Sequence, residues 1–519
     1  NGRLQEAGGI IWRDGSGWNW GRDENPDAPR FNYVRDADYC SAAALMVDKA
    51  LWDKVGGFDP RFAPCYYEDT DLCFAIRRQG KRVLYQPAAG VLHFEGVSHG
   101  TDISEGAKAN QALHQVTFAQ KWRRELAFHA PNGERPSREA DRGARARILW
   151  LEACVITPDQ DSGSLRTLRL LRLLLKLGCK VTFAADNLLA DEPYGQQLRD
   201  EGIEGLHAPH VKSMGEYLRD HGGLYDVVTL CRHYIAIQHV DLLREHHPDT
   251  QIWFDTIDLH YLRLRRQHEL DQAPATLKMA ELAYDEECEV ISKSDLTIVV
   301  SEVEVAELAN EAPNAKVAVI SNIHEVAGDR PAFDDRSGVM FVGGFQHPPN
   351  IDAVEYYANE IWPLLTERCP DLETYVIGSR MPDRLKKLGE STGLKMVGFV
   401  EDLTPYYESC MLAIAPLRYG AGVKGKVNQA LSFGLPVVGS PVAFEGMGLT
   451  HEREVMVAET AEDFAEAIAR LCTDRSLWQT LSEKGGASLA GRFTPDVAEA
   501  ALRDVLAPWL DEGDLKTVG

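Results

Sequence analysis

The chain has 519 residues, enough for about three domains that each bury a core of their own. It carries 79 acidic against 55 basic side chains, a net charge of -24 at pH 7, which argues against a nucleic-acid partner. Ten cysteines are scattered without a C-x-x-C pair and no apolar run reaches about 18 residues, which points to no zinc cluster, disulfide framework or spanning helix and fits a reducing cytoplasm.

Residues 1–128 read as one unit that ends in a helical stretch around Lys121 and Trp122. The chain begins at Asn1 inside what reads as a folded segment, so it is expected to be a piece of something longer. Glu68, Asp69 and Asp71 crowd three carboxylates into four positions. Such crowding raises at least one pKa toward that of a working base, or else marks an acidic helix start complementing the dipole. Asp36-Ala37-Asp38 spells D-x-D but follows no strand-helix unit and reads as a decoy. Residues 129–147 are polar, hold two prolines and two glycines, and show no apolar period; they read as a linker.

From Ile148 onward, short apolar strands alternate with amphipathic helices in two successive series. The expectation is two doubly wound domains with parallel sheets, residues 148–325 and 326–495, then a C-terminal helix and tail over 496–519. Ligands of such sheets bind outside the carboxyl ends of the strands, so the facing crevice is the expected site. The helix predicted over Leu165–Leu177 carries Arg166, Arg169, Arg172 and Lys176 on one face. That stripe fits an anionic membrane surface or, preferred here, the solvated face of a core helix.

The most informative stretch is Ala415 to Met447. A strand predicted over Met411–Ala415 runs into Gly420-Ala421-Gly422, then a helix over Val423–Phe433 stopped by Gly434 and Pro436, then a strand over Leu435–Val438. Backbone amides at such a helix start, uncovered by bulky side chains, seat phosphate. Lys424 and Lys426 in the first turn oppose the helix dipole, a conflict that an anion removes. Two rival readings stand beside a sugar-nucleotide site. Gly420, Gly422 and Gly425 spell G-x-G-x-x-G with Glu445 about 20 residues on, as in a dinucleotide fold. The other rival is a plain turn with solvated lysines.

Residues 147 to about 510 resemble the family 4 glycosyltransferases, retaining enzymes of GT-B fold, through PDQDSGSLR, FDTIDLH, VVSEVE, VGGFQHPPNIDAV, GFVEDL and the loop-helix. The resemblance implies that Gly163, Gly343 and Gly344 lie where donor or acceptor approaches the backbone. It implies that Lys424 or Lys426 neutralises the departing diphosphate, Lys424 being favoured as nearer the loop. It places the nucleotide base at Phe399 and Val400, ribose or sugar hydroxyls at Glu445, and the donor sugar at His260. The paired glutamates of many members are Ala421 and Gln429 here, so a glutamate assisting the leaving group is in doubt. No metal is expected for this part.

Residues 1 to about 127 resemble the carboxyl-terminal half of the family 2, inverting GT-A glycosyltransferases, through GGFD, YYEDTDLCFAIRRQGKRVLYQP and VLHFEGVSHGTD. That implies Asp69 as the base and His93 as completing a metal site for Mg or Mn, but only in a unit completed by its missing half. The expectation for the whole is a glycosyltransferase of bacterial polysaccharide or O-antigen assembly, cytoplasmic or peripheral at the inner membrane face. Its partners would be a nucleoside diphosphate sugar and a glycan or lipid-linked acceptor. Its alternatives are a decayed scaffold and an NAD-dependent oxidoreductase.

Overall fold

The computed structural model describes residues 2–92, 109–327 and 331–513. In the first unit, strands β1 (Gly9–Ile11) and β2 (Gly17–Asn19) form an antiparallel pair, as do β3 (Arg35–Asp36) and β4 (Leu84–Tyr85). Seven strands follow: β5 (Arg147–Glu152), β6 (Lys180–Ala185), β7 (Glu204–Leu206), β8 (Val227–Cys231), β9 (Gln251–Asp255), β10 (Leu296–Val299) and β11 (Val317–Val319). They lie in the order β11-β10-β9-β8-β5-β6-β7 and all pair in parallel. The second sheet has β12 (Val339–Val342), β13 (Thr374–Ile377), β14 (Lys395–Gly398), β15 (Leu412–Ala415), β16 (Val437–Gly439) and β17 (Met456–Val457). Their order is β14-β13-β12-β15-β16-β17, again parallel.

Counted from its own first strand, each sheet reads 3-2-1-4-5-6, with a seventh strand added in the first. Winding therefore reverses between β5 and β8 and between β12 and β15, the places where such sheets open a crevice. Helices cover both faces, so strands such as β5 (RILWLE) are buried along their whole length. The predicted fold class, α/β with two tandem doubly wound domains, is the observed one.

The helix Ser162–Lys176 shows how the basic stripe is used. Leu168, Leu170, Leu171 and Leu174 pack on Ile148 and Trp150, each worth about 2 kcal/mol of apolar burial. Arg166 is 2% exposed and pairs with buried Asp255 at 2.7 Å while donating to the Ile320 carbonyl. Arg169 donates to the Ile323 carbonyl, and Arg172 and Lys176 pair with Glu201 and Glu499. Arg166 and Arg169 are thus spent inside the molecule, whereas Arg172 and Lys176 stay on the solvated face of the helix. The helix Pro495–Gly513 returns from the second domain to add Leu502 and Leu506 to the same core.

Residues 129–147, read as a linker, are fastened to their neighbours. They hold the helix Pro136–Ala140, and the His129 Nδ1 lies 2.6 Å from the Ile11 carbonyl. Arg142 pairs with both Asp38 and Glu139, and Ala130 N donates to Glu139. Two of the contacts that tie the segment to the first unit, His129 with Ile11 and Arg142 with Asp38, join residues 118 and 104 positions apart, so the polar pattern concealed them.

In the first unit the carboxylates separate by role. Asp71 is buried, accepting from Trp122 Nε1 at 2.7 Å and from Lys121. Asp69 accepts from the amide of Ala42 at 3.0 Å. Glu68 is the one whose pKa is raised, chiefly by burial and only secondarily by Asp69, so desolvation rather than crowding sets it. Tyr66 and Tyr67 ahead of it hold φ of +74° and +73°, a strained entry to the helix Glu68–Arg78. Asp36 is held by Arg82 and Asp38 by Arg77 and Arg142, so both acids of the D-x-D are occupied. His93 lies outside the described residues.

Candidate functional site

The second domain's wall begins at the switch point between β12 and β15. The helix predicted from Val423 starts at Gly425 and runs to Ser432, with Lys424 in the N-cap position in extended geometry. No side chain caps it, so its first amides are free of side-chain acceptors. Lys424 thus precedes the helix, and the two lysines reach different partners. Lys424 Nζ curls back to the carbonyls of Ala421 and Gly422 at 3.0 and 2.6 Å. Lys426 Nζ reaches Asn350 Oδ1 and sits 4.3 Å over the Phe341 ring, beside the Gly343 turn.

Among the described residues neither ammonium has a carboxylate within salt-bridge reach. Burial lowers Lys424 to about 8. Burial, aided by the Lys424 charge, lowers Lys426 to about 7. Neither lysine is singled out over the other by its ionic partners. Around them the backbone is bare. A methyl on Gly343 would meet Asn350 at 2.7 Å and the Lys426 ammonium at 2.9 Å. Gly398 holds φ +81° and turns β14 into Phe399, which is 48% exposed, and Val400. From Phe399 through the Gly343 turn to Gly422, the carboxyl edge spans three strand spacings, about 14 Å.

The first domain's wall is more acidic and more strained. Asp161 caps the helix Ser162–Lys176 by accepting from Ser164 N at 2.8 Å, with Gly163 inside the first turn. At the switch point between β5 and β8, Glu152 faces Arg232 at 3.4 Å, its pKa raised by burial despite that arginine. The loop after β9 carries Ile257 at φ +64°, an outlier for a β-branched residue. His260 opens the next helix, His260–Asp271, and is buried, its ring 4.8 Å from that of His233. The buried Glu287 carboxylate accepts from the amides of His260 and Tyr261 at 2.9 and 3.0 Å. Burial works against the charge of Asp258, but Arg263 and His260 hold its pKa well below the usual range.

The two walls touch. Asn322 donates to the Val423 carbonyl at 2.9 Å, and a methyl on Gly425 would sit 2.5 Å from Ser162 Cβ. Arg266 forms a bidentate pair with Glu445 at 2.6 and 2.7 Å and donates to the Gly420 carbonyl. Glu445, expected at ribose or sugar hydroxyls, is engaged by an arginine of the other domain. Gln429, in place of a family glutamate, lies 3.0 Å from Nδ1 of His324, whose pKa burial lowers to about 4. Gly163, Gly343, Gly344, Gly422, His260 and both lysines all line or abut this one cleft. Asp69 makes its contacts within the first unit.

Several cleft residues were missed. His347, lowered to about 3 by burial and by Arg263, and Asn350 stand inside a motif quoted for its glycines. Glu304, raised to about 7 by burial, accepts from Val300 N and Leu259 N and stands inside VVSEVE. Those motifs were the available signal. Arg266 had none, because its partner lies 179 residues away.

With this geometry in hand, comparison with known proteins is informative. Residues 336–474 match the family model described as glycosyl transferases group 1. A relative named as an uncharacterized 44.6 kDa protein in the cps region of Klebsiella pneumoniae is 28% identical over 138 residues, 25% of this chain and 36% of that protein. An N-acetylglucosaminyl-diphospho-decaprenol L-rhamnosyltransferase of Mycobacterium tuberculosis is 31% identical over 98 residues, 18% of this chain and 32% of that protein. The chain thus spans about a third of the length of these curated relatives. Among solved structures, the sucrose-phosphate synthase of Thermosynechococcus elongatus aligns with TM-score 0.55 at 16% identity, covering 71% of this chain and 100% of that one. HepE of Anabaena in complex with UDP and glucose aligns with TM-score 0.54 at 12% identity, covering 70% and 100%. At such identities these likenesses show the shared tandem fold. No helix among the described residues is long and apolar enough to cross a membrane. Among the described residues no group of three or more His, Cys, Asp or Glu converges to hold a metal ion.

Proposed function

We propose that the chain is a glycosyltransferase that moves a sugar from a nucleoside diphosphate sugar to a glycan or lipid-linked acceptor in polysaccharide or O-antigen assembly. One observation carries this reading: an uncapped helix start, flanked by two lysines without carboxylate partners, opens toward the other domain. The diphosphate sits on the amides of Gly425 and its neighbours, with Lys424 and Lys426 on its oxygens. The base lies along Phe399 and Val400, and the sugar extends toward Gly163 and His260. As the bond from sugar carbon to diphosphate oxygen breaks, negative charge gathers on that oxygen, where the amides and ammonium groups are already aimed.

No glutamate is assigned to the leaving group, because Ala421 and Gln429 stand at the family's acid positions. A role for the first unit's Asp69, with a divalent metal at His93, is a separate proposal that this reading does not use. The described D-x-D acids are held by arginines, so no metal-assisted step is drawn here. The structure of HepE with UDP-glucose supports the choice of donor class. Ten free cysteines support a reducing, cytoplasmic placement.

Against the dinucleotide rival, the glycine motif follows β15, the fourth strand of its sheet, and its acid is paired with Arg266. Calorimetry with UDP, GDP, dTDP and NAD decides the matter. A nucleoside diphosphate is expected to bind and NAD is not. If NAD binds and none of the diphosphates does, the transferase reading is wrong.

A further inference from the structure

A half-open pocket lies away from the cleft, between the first unit and the outer edge of the first Rossmann-like domain. This cavity of about 320 Å³ is lined by Trp20 and Tyr33 on one side and by Lys180, Glu204, Tyr217 and Tyr225 on the other. Arg147, the first residue of β5, also lines it, whereas Glu152 at the other end of that strand belongs to the cleft. Five residues of extended strand separate the two sites by about 17 Å.

The lining combines aromatic surface with a satisfied polar floor. Lys180 bonds to Glu204 and to Thr182 Oγ1 and lies 4.3 Å from the centre of the Tyr33 ring. The Tyr217 and Tyr225 hydroxyls are 2.7 Å apart. Every cation here already has an anion: Lys180 has Glu204, Arg147 has Asp141 and Arg30 has Glu24. A phosphate or nucleotide would find no free positive charge, so the cavity suits a neutral guest. Tyr33 is 3% exposed, its ring lies under the Lys180 ammonium, and burial pushes its pKa up to about 12. As a lining residue it can offer its hydroxyl to a polar occupant. Partly exposed Trp20 and Tyr217 offer apolar ring surface beside it.

Aromatic surface with neutralised hydrogen-bonding groups is the chemistry that recognises a sugar ring, whose C–H bonds meet the rings and whose hydroxyls meet the polar atoms. We infer that this cavity binds a neutral saccharide, one or two residues of a glycan chain, at a site distinct from the transfer cleft. The inference extends the transferase reading but is tested by binding alone. Saturation-transfer NMR on the full chain, with maltotriose, triacetylchitotriose and methyl α-L-rhamnoside as probes, is expected to detect at least one of them. Tyr33→Phe keeps the ring and should weaken that binding about fivefold, the worth of one neutral hydrogen bond. Trp20→Ala should abolish it, with UDP affinity unchanged as the check that the cleft remains folded. The proposal is overturned if none of the three probes binds, if UDP displaces the bound probe, or if both variants bind it as the parent does. Saccharide binding with no binding of UDP, GDP or dTDP would instead sink the transferase reading and leave this site standing.

Discussion

Among the helix starts at the cleft, three differ in what satisfies their first amides. The helix Ser162–Lys176 is closed by its own Asp161, and the helix His260–Asp271 by Glu287 from a neighbouring helix. The helix Gly425–Ser432 has no side-chain cap and carries cations where the dipole favours an anion. An N-terminus so arranged is destabilising on its own and becomes favourable only when a negative group arrives. On the proposed reading, an anion seat requires a helix start without a cap. Glycine alone does not mark it, since Gly163 lies in a first turn that is capped.

The sharpest way to break this contrast is to remove both cations. The double variant Lys424→Ala/Lys426→Ala should lose about 3 kcal/mol or more of nucleoside diphosphate affinity, since hydrogen bonds to charged groups are worth roughly 1.5–3 kcal/mol each. Thermal stability should hold or rise, because two desolvated ammonium groups disappear. A parallel fall in melting temperature and affinity would mean that the lysines are structural. Next in size is Gly425→Ala. Its methyl would meet Ser162 Cβ at 2.5 Å, tighter than side chains tolerate, so the walls must part. Overpacking of this kind costs about 1–3 kcal/mol, read as weakened diphosphate binding and a larger radius in solution scattering. Unchanged scattering and affinity would show that the closed approach of the two loops is not needed for binding.

Much of this was legible in the sequence for a local reason. Strand-helix alternation is written in short windows, and Gly434, at φ +63°, ended its helix as read. The helix start was misplaced by two residues, because nothing in Val423-Lys424-Gly425 distinguishes an N-cap lysine from a first-turn lysine. The cleft's polar wiring was illegible for a different reason. Arg266 with Glu445, Arg166 with Asp255 and His324 with Gln429 join residues 179, 89 and 105 positions apart, and no spacing rule reaches across them. The first unit taught the converse. Its acidic run looked catalytic as a cluster, but the fold assigns Asp71 to Trp122 and Lys121 and leaves Glu68 to be shifted by burial.

A pH titration sharpens the comparison further. Lys424 and Lys426 have folded-state pKa values lowered to about 8 and about 7, so their charged forms are lost as pH rises through that window. Diphosphate affinity should therefore weaken by at least about tenfold between pH 7 and pH 9, with proton uptake on binding seen as a buffer-dependent enthalpy. A flat profile would place the lysine charges away from the bound anion.

The smallest effect isolates the capped helix. Asp161→Ala removes the acceptor for Ser164 N and its pairing with the Ser164 hydroxyl, which should cost about 1 kcal/mol of stability. It also frees amides at a second helix start facing the same cleft. If absence of a cap is sufficient for an anion seat, this variant should bind inorganic phosphate measurably better than the parent. If it also needs flanking cations without carboxylate partners, phosphate affinity should stay within twofold. Arg232, lying 3.7 Å from where a methyl on Gly163 would project, is already opposed by Glu152, so the second outcome is expected. An uncapped helix would then be necessary but not sufficient, and the two lysines would account for the rest.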